Sequence, residues 1–261
     1  LMNEANAAVL YHHYRHQRLA SSTNTLTSLV FDFGGGTLDC SIVELGDSVG
    51  EAIATDGDGY LGGADFDDVA LELVIKEIRL KFNGLSDEYD PIMSGPAKAV
   101  LRRAARRAKE ELSTAPTARI YLPGFMEHAG GRGSLDVTIQ RDDFECLCEA
   151  RNLFGRAFEV IKRLLSQARR RPNEIDQVLM IGGTSRIPRI RAGSVALLEK
   201  KLQTISDGTF AVASGAALQA AVLAGREKKI LLMDVLPASL SVETTGGIAS
   251  RFLEKNTTLP A

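Results

Sequence analysis

Hydrophobic and polar positions in this chain switch between the two-residue period of strands and the three-and-four spacing of helices, and each switch marks an element. Leu29–Phe33 is a compact apolar run with one aspartate. After Gly34, Gly35 and Gly36, the segment Thr37–Leu45 (TLDCSIVEL) alternates apolar and polar residues. This predicts strand, glycine turn, strand, with a third strand over Glu51–Thr55. Asp56–Gly63 holds four glycines in eight residues and reads as a loop. Asp65 is placed to cap a helix whose buried face carries Phe66, Val69, Leu73, Val74, Ile78 and Leu80. Asn83–Pro96 reads as a second loop. Ala97–Leu112 follows as a helix facing inward with Val100, Leu101, Ala104, Ala105, Ala108 and Leu112. Ile120–Leu122 and Leu135–Ile139 read as a hairpin around a glycine-rich tip at Gly130–Gly133. Asp142 or Asp143 then opens one long helix through Phe144, Leu147, Phe154, Phe158, Ile161, Leu164 and Leu165, closed by Arg169–Pro172.

Asp176–Ile181 is a buried strand feeding Gly182-Gly183 and a helix from Pro188 to Leu202, and another helix covers Ala211–Ala224. Beyond the charged segment Arg226–Lys229, Ile230–Pro260 becomes strand-like, punctuated by Pro237, Gly246 and Gly247. Hairpin strands mixed with crossing helices predict an α/β fold with a mixed sheet rather than a strictly alternating one.

Composition narrows the classes. Thirty-one basic against 33 acidic residues leave a net charge of −2, so nothing global draws the chain to nucleic acid or anionic lipid. No apolar run approaches the roughly 20 residues of a membrane helix. Residues 1–20 are polar and do not read as a secretory leader. Cys40, Cys146 and Cys148 lack the spacing of zinc or redox motifs and read as reduced, buried or half-buried thiols of a cytoplasmic protein. Arg102, Arg103, Arg106 and Arg107 read as a solvated helix face. His12 and His16 share a helical spacing but have no acidic third ligand.

Two segments carry candidate chemistry. In Phe31–Asp39 (FDFGGGTLD) three consecutive glycines let backbone N–H groups approach an anion, Thr37 adds a hydroxyl, and Asp32 and Asp39 flank the turn as oxygen donors for a hydrated Mg²⁺. A strand rather than a helix follows the glycines, and no Gly-Lys-Ser/Thr is present, so this is neither a dinucleotide fingerprint nor a Walker loop. In Met180–Ile190 (MIGGTSRIPRI) a buried strand ends in two glycines before a helix, where α/β folds seat ligands, and Arg186 could lie flat on a base. Gly62 and Gly63, before an Asp-bearing helix, are a weaker third candidate.

Together with RRAKEELS, ASGAALQAAVLAG and ILLMDVLPASLSVETTGG, these segments resemble the 70-kilodalton heat-shock (DnaK-like) chaperones from about residue 1 to 261. The resemblance implies the second lobe of an actin-like, ribonuclease H-like ATPase over 1–225, with an inserted helical and hairpin subdomain (IIB) over 62–147. It further implies an interdomain linker over 226–234 and the start of a substrate-binding β-sandwich over 235–261. It implies ATP or ADP with Mg²⁺ as ligands. Gly34, Gly35, Gly36 and Thr37 would wrap phosphates, with Asp32 and Asp39 on the metal and water side. Gly62 and Gly63 would lie near the nucleotide, Lys109 and Ser113 against the adenosine, and Gly182, Gly183 and Arg186 in the adenosine loop. Asn3-Glu4 matches the start of an interface helix, with Glu4 helping to position metal-bound water. Unfolded client polypeptides, a J-domain co-chaperone and a nucleotide exchange factor are the implied partners.

The chain departs from the family pattern at Ala5 (usually Pro), Ala64 (usually acidic), Arg106 (usually Glu) and the SDGTF segment ending at Phe210. No counterpart of the family's first ATPase lobe is read in these residues, so the expected function is the ATP-binding lobe of a folding chaperone. The alternatives are a non-hydrolysing interaction module and another superfamily member such as a sugar kinase.

Overall fold

The computed structural model describes residues 4–15, 25–46, 49–81, 95–128, 131–200, 202–204, 208–226, 231–236 and 238–259. Its frame is a mixed sheet containing β1 (Leu26–Phe33), β2 (Leu38–Leu45), β3 (Val49–Asp58), β6 (Gln177–Ile181), β7 (Leu202–Thr204), β8 (Leu231–Val235) and β11 (Thr258–Leu259). The strand order is β11-β8-β3-β2-β1-β6-β7. β1, β2 and β3 form an antiparallel meander, whereas β6 lies parallel to β1 and β8 parallel to β3.

Alternation along β1 sends its residues to opposite faces. Leu29, Phe31 and Phe33 join the larger core beneath α2 (Gly63–Lys81), α3 (Gly95–Glu111) and α5 (Leu153–Gln167). Phe33 meets Phe66 edge-on at 5.8 Å, and Phe66 in turn meets Phe154. Val30, with Val43, Leu179 and Ile181, joins a smaller core under α1 (Glu4–Arg15) and α7 (Gly208–Leu223). Both faces of β1 are therefore covered, which is why it reads as a continuous apolar run. The hairpin of β4 (Thr117–His128) and β5 (Gly131–Gln140) packs on α2 and α3.

Several elements differ from the sequence-based expectation. The loop over Asp56–Gly63 shrinks to a turn, because β3 runs on to Asp58 and α2 already starts at Gly63. Asp65 is not the cap residue. It sits in the first turn of α2 and its carboxylate accepts from the Gly62 N–H at 2.8 Å, satisfying a helix-end donor from inside. Leu80 is 63% exposed and leaves the buried face. The single long helix is two, α4 (Arg141–Ala150) and α5, because Asn152 adopts a left-handed conformation with φ 55°. α6 (Pro188–Leu198) stops at Glu199, also left-handed, and Leu202 belongs to β7. Ser113 lies in the turn after α3, which ends at Glu111. Cys146 is exposed, whereas burial raises the Cys40 and Cys148 thiols above their ordinary value. Asn3, His16, residues 83–94, Gly130, residues 205–207, residues 227–230 and Pro237 lie outside the described residues.

Leu231–Val235 adds a strand to the edge of β3, and Thr258–Leu259 pairs back on it. The turn before β11 is fastened to β3. Lys255 Nζ lies 2.8 Å from Asp56, which also accepts from Arg163, and the Asn256 side chain accepts from the Thr55 N–H. Burial tends to raise the Asp56 pKa. Hydrogen bonds from Lys255, Arg163 and the Gly57 backbone outweigh that and hold it below the ordinary carboxylate value. Strands β9 (Leu240–Thr244) and β10 (Ile248–Leu253) form a separate exposed hairpin.

Candidate functional site

Three glycine segments far apart in sequence meet at the top of the central strands. The turn after β1 closes with Gly34 N–H donating to the Thr37 carbonyl at 3.0 Å. The start of α2 then docks on it: Gly63 N–H donates to the Gly34 carbonyl at 3.0 Å and Ala64 N–H to the Gly35 carbonyl at 2.9 Å. The turn after β6 docks from the other side, with the Thr184 hydroxyl donating to the Gly34 carbonyl at 2.8 Å. Contact is so close that a Cβ at Gly62 would stand 2.4 Å from the Gly36 carbonyl carbon, and one at Gly182, where φ is +80°, would stand 2.2 Å from the Phe33 carbonyl oxygen. Gly35 and Gly36 donate to none of these bonds, and a Cβ on either would meet nothing within 4 Å. The join thus fixes the carbonyl side of the turn and leaves the glycine surface open.

That surface borders a cleft of about 1020 Å³ whose walls include Gly34, Gly35, Gly63, Lys109, Ser113, Gly183 and Arg186. Lys109 is nearly buried, donates to the Gly63 carbonyl at 3.1 Å, and pairs with Asp67 at 2.6 Å. It therefore ties α3 to the first turn of α2. Asp67, Glu110, Thr184, Ile187 and Arg191 also belong to the walls; the first four lie within segments described above, but none was named there as a site residue. The four-residue spacing of Asp67 after Gly63 and of Glu110 after Arg106 was the available signal.

The carboxylates gather separately. Asp32 and Asp39 face each other across the β1–β2 pair and so share one face of the sheet. This is the face covered by α1, which opens at Glu4. Burial, then the negative charges of Glu4 and Asp39, push Asp32 up to about 6. Thr37 donates its hydroxyl to Asp39 at 2.9 Å. A group of acidic oxygen donors whose charges oppose one another fits a hard cation, which would relieve the repulsion. Among the described residues no three His, Cys, Asp or Glu side chains form a metal cage. Asp32 and Asp39, paired across β1 and β2, supply few oxygens and suit an ion that keeps most of its water, as Mg²⁺ does.

The profile of the family described as Hsp70 protein matches residues 1–261. The chain belongs to the Hsp70 family. It is 39% identical over 235 residues to a chaperone protein dnaK of Phaeodactylum tricornutum, covering 90% of this chain and 37% of that protein. It is 40% identical over 266 residues to chaperone protein DnaK 3 of a Synechococcus species, covering 100% of this chain and 39% of that protein. The chain thus spans well under half the length of these curated relatives. For an Hsp70 chain, the structure brings the expected residues together in two groups. Gly34, Gly35, Gly63, Lys109, Ser113, Gly183 and Arg186 line the cleft, while Glu4, Asp32 and Asp39 interact electrostatically behind the turn that carries Gly36 and Thr37. Gly62 and Gly182 are not in the cleft wall. They are the points of close backbone approach that hold the turn in place. No helix among the described residues is long and apolar enough to cross a membrane.

Proposed function

We propose that the cleft binds ATP or ADP with Mg²⁺, and that residues 1–225 act as the second, nucleotide-binding lobe of a heat-shock-type chaperone that couples ATP binding and hydrolysis to protein folding. Residues 62–147 would be its inserted subdomain, 226–234 the interdomain linker and 235–261 the start of the substrate-binding β-sandwich. The observation that carries the reading is the three-way glycine join beside an open cleft. A backbone fastened on its carbonyl side and bare on its other side suits a phosphate chain.

Each residue group has a physical role in this reading. Gly35, Gly36 and Thr37 hold phosphate through backbone N–H groups, while the Gly34 N–H closes the turn on the Thr37 carbonyl and the Thr37 hydroxyl stays on Asp39. Gly183 and Arg186 take the nucleoside side of the cleft, where a planar guanidinium can stack on a base. Lys109 and Ser113 approach the ribose from the end of α3. Asp32, Asp39 and Glu4 orient water on the carboxylate side, and Asp39 is held by the Thr37 hydroxyl. A bound Mg²⁺ would neutralise phosphate charge there. Chemistry of this kind rests on positioning and electrostatics and needs no covalent intermediate. Clients, a J-domain co-chaperone and an exchange factor are the proposed partners.

Isothermal titration of the chain with ADP and ATP, with and without Mg²⁺, tests the proposal. Saturable binding that Gly35→Val abolishes supports it. Absence of saturable binding at millimolar nucleotide contradicts it.

A further inference from the structure

The bend that carries the chain from β3 into α2 is short, rich in glycine and held from outside the cleft. Glycines stand at Gly57, Gly59, Gly62 and Gly63, so the stretch has much backbone freedom to lose on folding. Leu61 is fully buried, but Tyr60 is 89% exposed and its ring adds no packing. Two bonds close the bend on Asp58: the Tyr60 N–H donates to its carboxylate at 3.0 Å and the Leu61 N–H to its carbonyl at 3.3 Å.

Arg156 reaches this bend from α5. Its Nε and Nη2 donate to one Asp58 carboxylate oxygen at 3.0 and 2.8 Å, and Nη2 also donates to the Tyr60 carbonyl at 2.9 Å. A planar guanidinium can make all three contacts at once, which the single ammonium of a lysine cannot. The two side chains are half-buried, so solvent screens this pair less than a surface one.

The bend decides where α2 starts, and the start of α2 decides where the glycine turn sits. Gly62 lies against the backbone of Gly35 and Gly36, and the Gly63 and Ala64 N–H groups donate to the Gly34 and Gly35 carbonyls. Just before the bend, a Cβ at Gly57 would stand 2.7 Å from the Leu38 carbonyl oxygen and 3.2 Å from a carboxylate oxygen of Asp39. Arg156 itself is not part of the cleft walls, so it can act on a ligand only through the bend.

We propose, on the nucleotide reading above, that Arg156 is a positioning residue of the site: its fork on Asp58 and the Tyr60 carbonyl keeps α2 docked on the glycine turn and so preorganises that turn for phosphate. Without the fork the bend opens, Gly63 and Ala64 leave their carbonyl partners, and the turn is held only from the Thr184 side. If only about a tenth of the molecules then keep the docked turn, phosphate affinity falls about tenfold.

Titration of the whole chain with ADP and with pyrophosphate, together with amide hydrogen exchange at Gly63 and Ala64 and urea unfolding, is the test. Arg156→Ala should weaken ADP and pyrophosphate by the same factor, about tenfold, and speed exchange at those two amides. Arg156→Lys, which keeps one bond, should recover part of both. In an Asp58→Ala background, Arg156→Ala should cause no further loss, because both act through one clamp. Arg163→Ala is the control: Arg163 lies two turns further along α5 and holds Asp56, before the bend. It should lower stability and leave affinity unchanged. Should Arg156→Ala unfold, Arg156→Lys carries the test, and its affinity and its amide exchange must move together. Unchanged ADP affinity or unchanged exchange on loss of Arg156, or an equal loss of affinity in Arg163→Ala, overturns the inference and leaves the nucleotide reading standing. If the unaltered chain binds neither ADP nor pyrophosphate, the nucleotide reading falls and this inference with it.

Discussion

A pair of glycine substitutions separates what the phosphate turn needs in order to fold from what it needs in order to bind. At Gly62 an alanine Cβ would stand 2.4 to 2.6 Å from backbone atoms of Gly35 and Gly36. Ordinary contact begins near 3.4 Å, so the start of α2 and the turn must separate by about 1 Å. The two bonds that join them, Gly63 N–H to Gly34 and Ala64 N–H to Gly35, are already 3.0 and 2.9 Å long and would break. At about 0.5–1.5 kcal/mol each, their loss destabilises the chain by about 1–3 kcal/mol, and the turn shifts as well. At Gly35 the Cβ meets nothing within 4 Å, so alanine should leave stability within about 0.5 kcal/mol while standing where an anion would sit. Urea unfolding and ADP titration of Gly62→Ala and Gly35→Ala check both parts. Gly62→Ala should lower stability and weaken binding, and Gly35→Ala should weaken binding alone. A stable Gly62→Ala that binds normally, or a Gly35→Ala that unfolds early, would refute the description of the turn.

Other consequences are equally direct. Phe66→Ala removes the ring that links Phe33, Phe144 and Phe154, and urea unfolding should show a loss of about 3–5 kcal/mol. Lys109→Met strands Asp67 in a nearly buried position and should cost about 3–5 kcal/mol, whereas Lys109→Met combined with Asp67→Leu should recover much of it in the same assay. Asp56, whose pKa is held below 3.8, stabilises fully above that unfolded value, and the contribution disappears as pH falls through the lower folded value. Below about pH 4, amide exchange in β8 and at Thr55 should accelerate in the native chain. In Asp56→Asn it should already be fast and change less with pH.

Much of the architecture was legible because periodicity reports burial. Leu29–Phe33, with both faces covered, and the three-and-four spacing of Phe66, Val69, Leu73 and Val74 could hardly read otherwise. Breaks that depend on single left-handed residues were not legible. Asn152 and Glu199 end or divide helices without a glycine or proline to announce it. The glycine-bearing site residues stood out in sequence, but their division of labour did not. Gly62 and Gly63 are adjacent, yet one is a packing contact and the other a cleft wall, a difference set by the turn approaching from 26 residues earlier at Gly36. Arg191 was missed because no glycine or motif flags it, whereas Asp67 ends the glycine-bearing segment around Gly62 and Gly63 but was not read as a site residue. Only the fold brings them to the cleft.

Titration of ¹⁵N-labelled chain with Mg²⁺ and ADP, followed by amide chemical shift, tests most directly whether this cleft is a nucleotide site. Saturable shifts concentrated at Gly34–Thr37, Gly63, Lys109 and Gly182–Arg186 are the expected result. Shifts that do not saturate, or that cluster instead along the separate groove between α2 and α4 near Lys76 and Cys146, would contradict it.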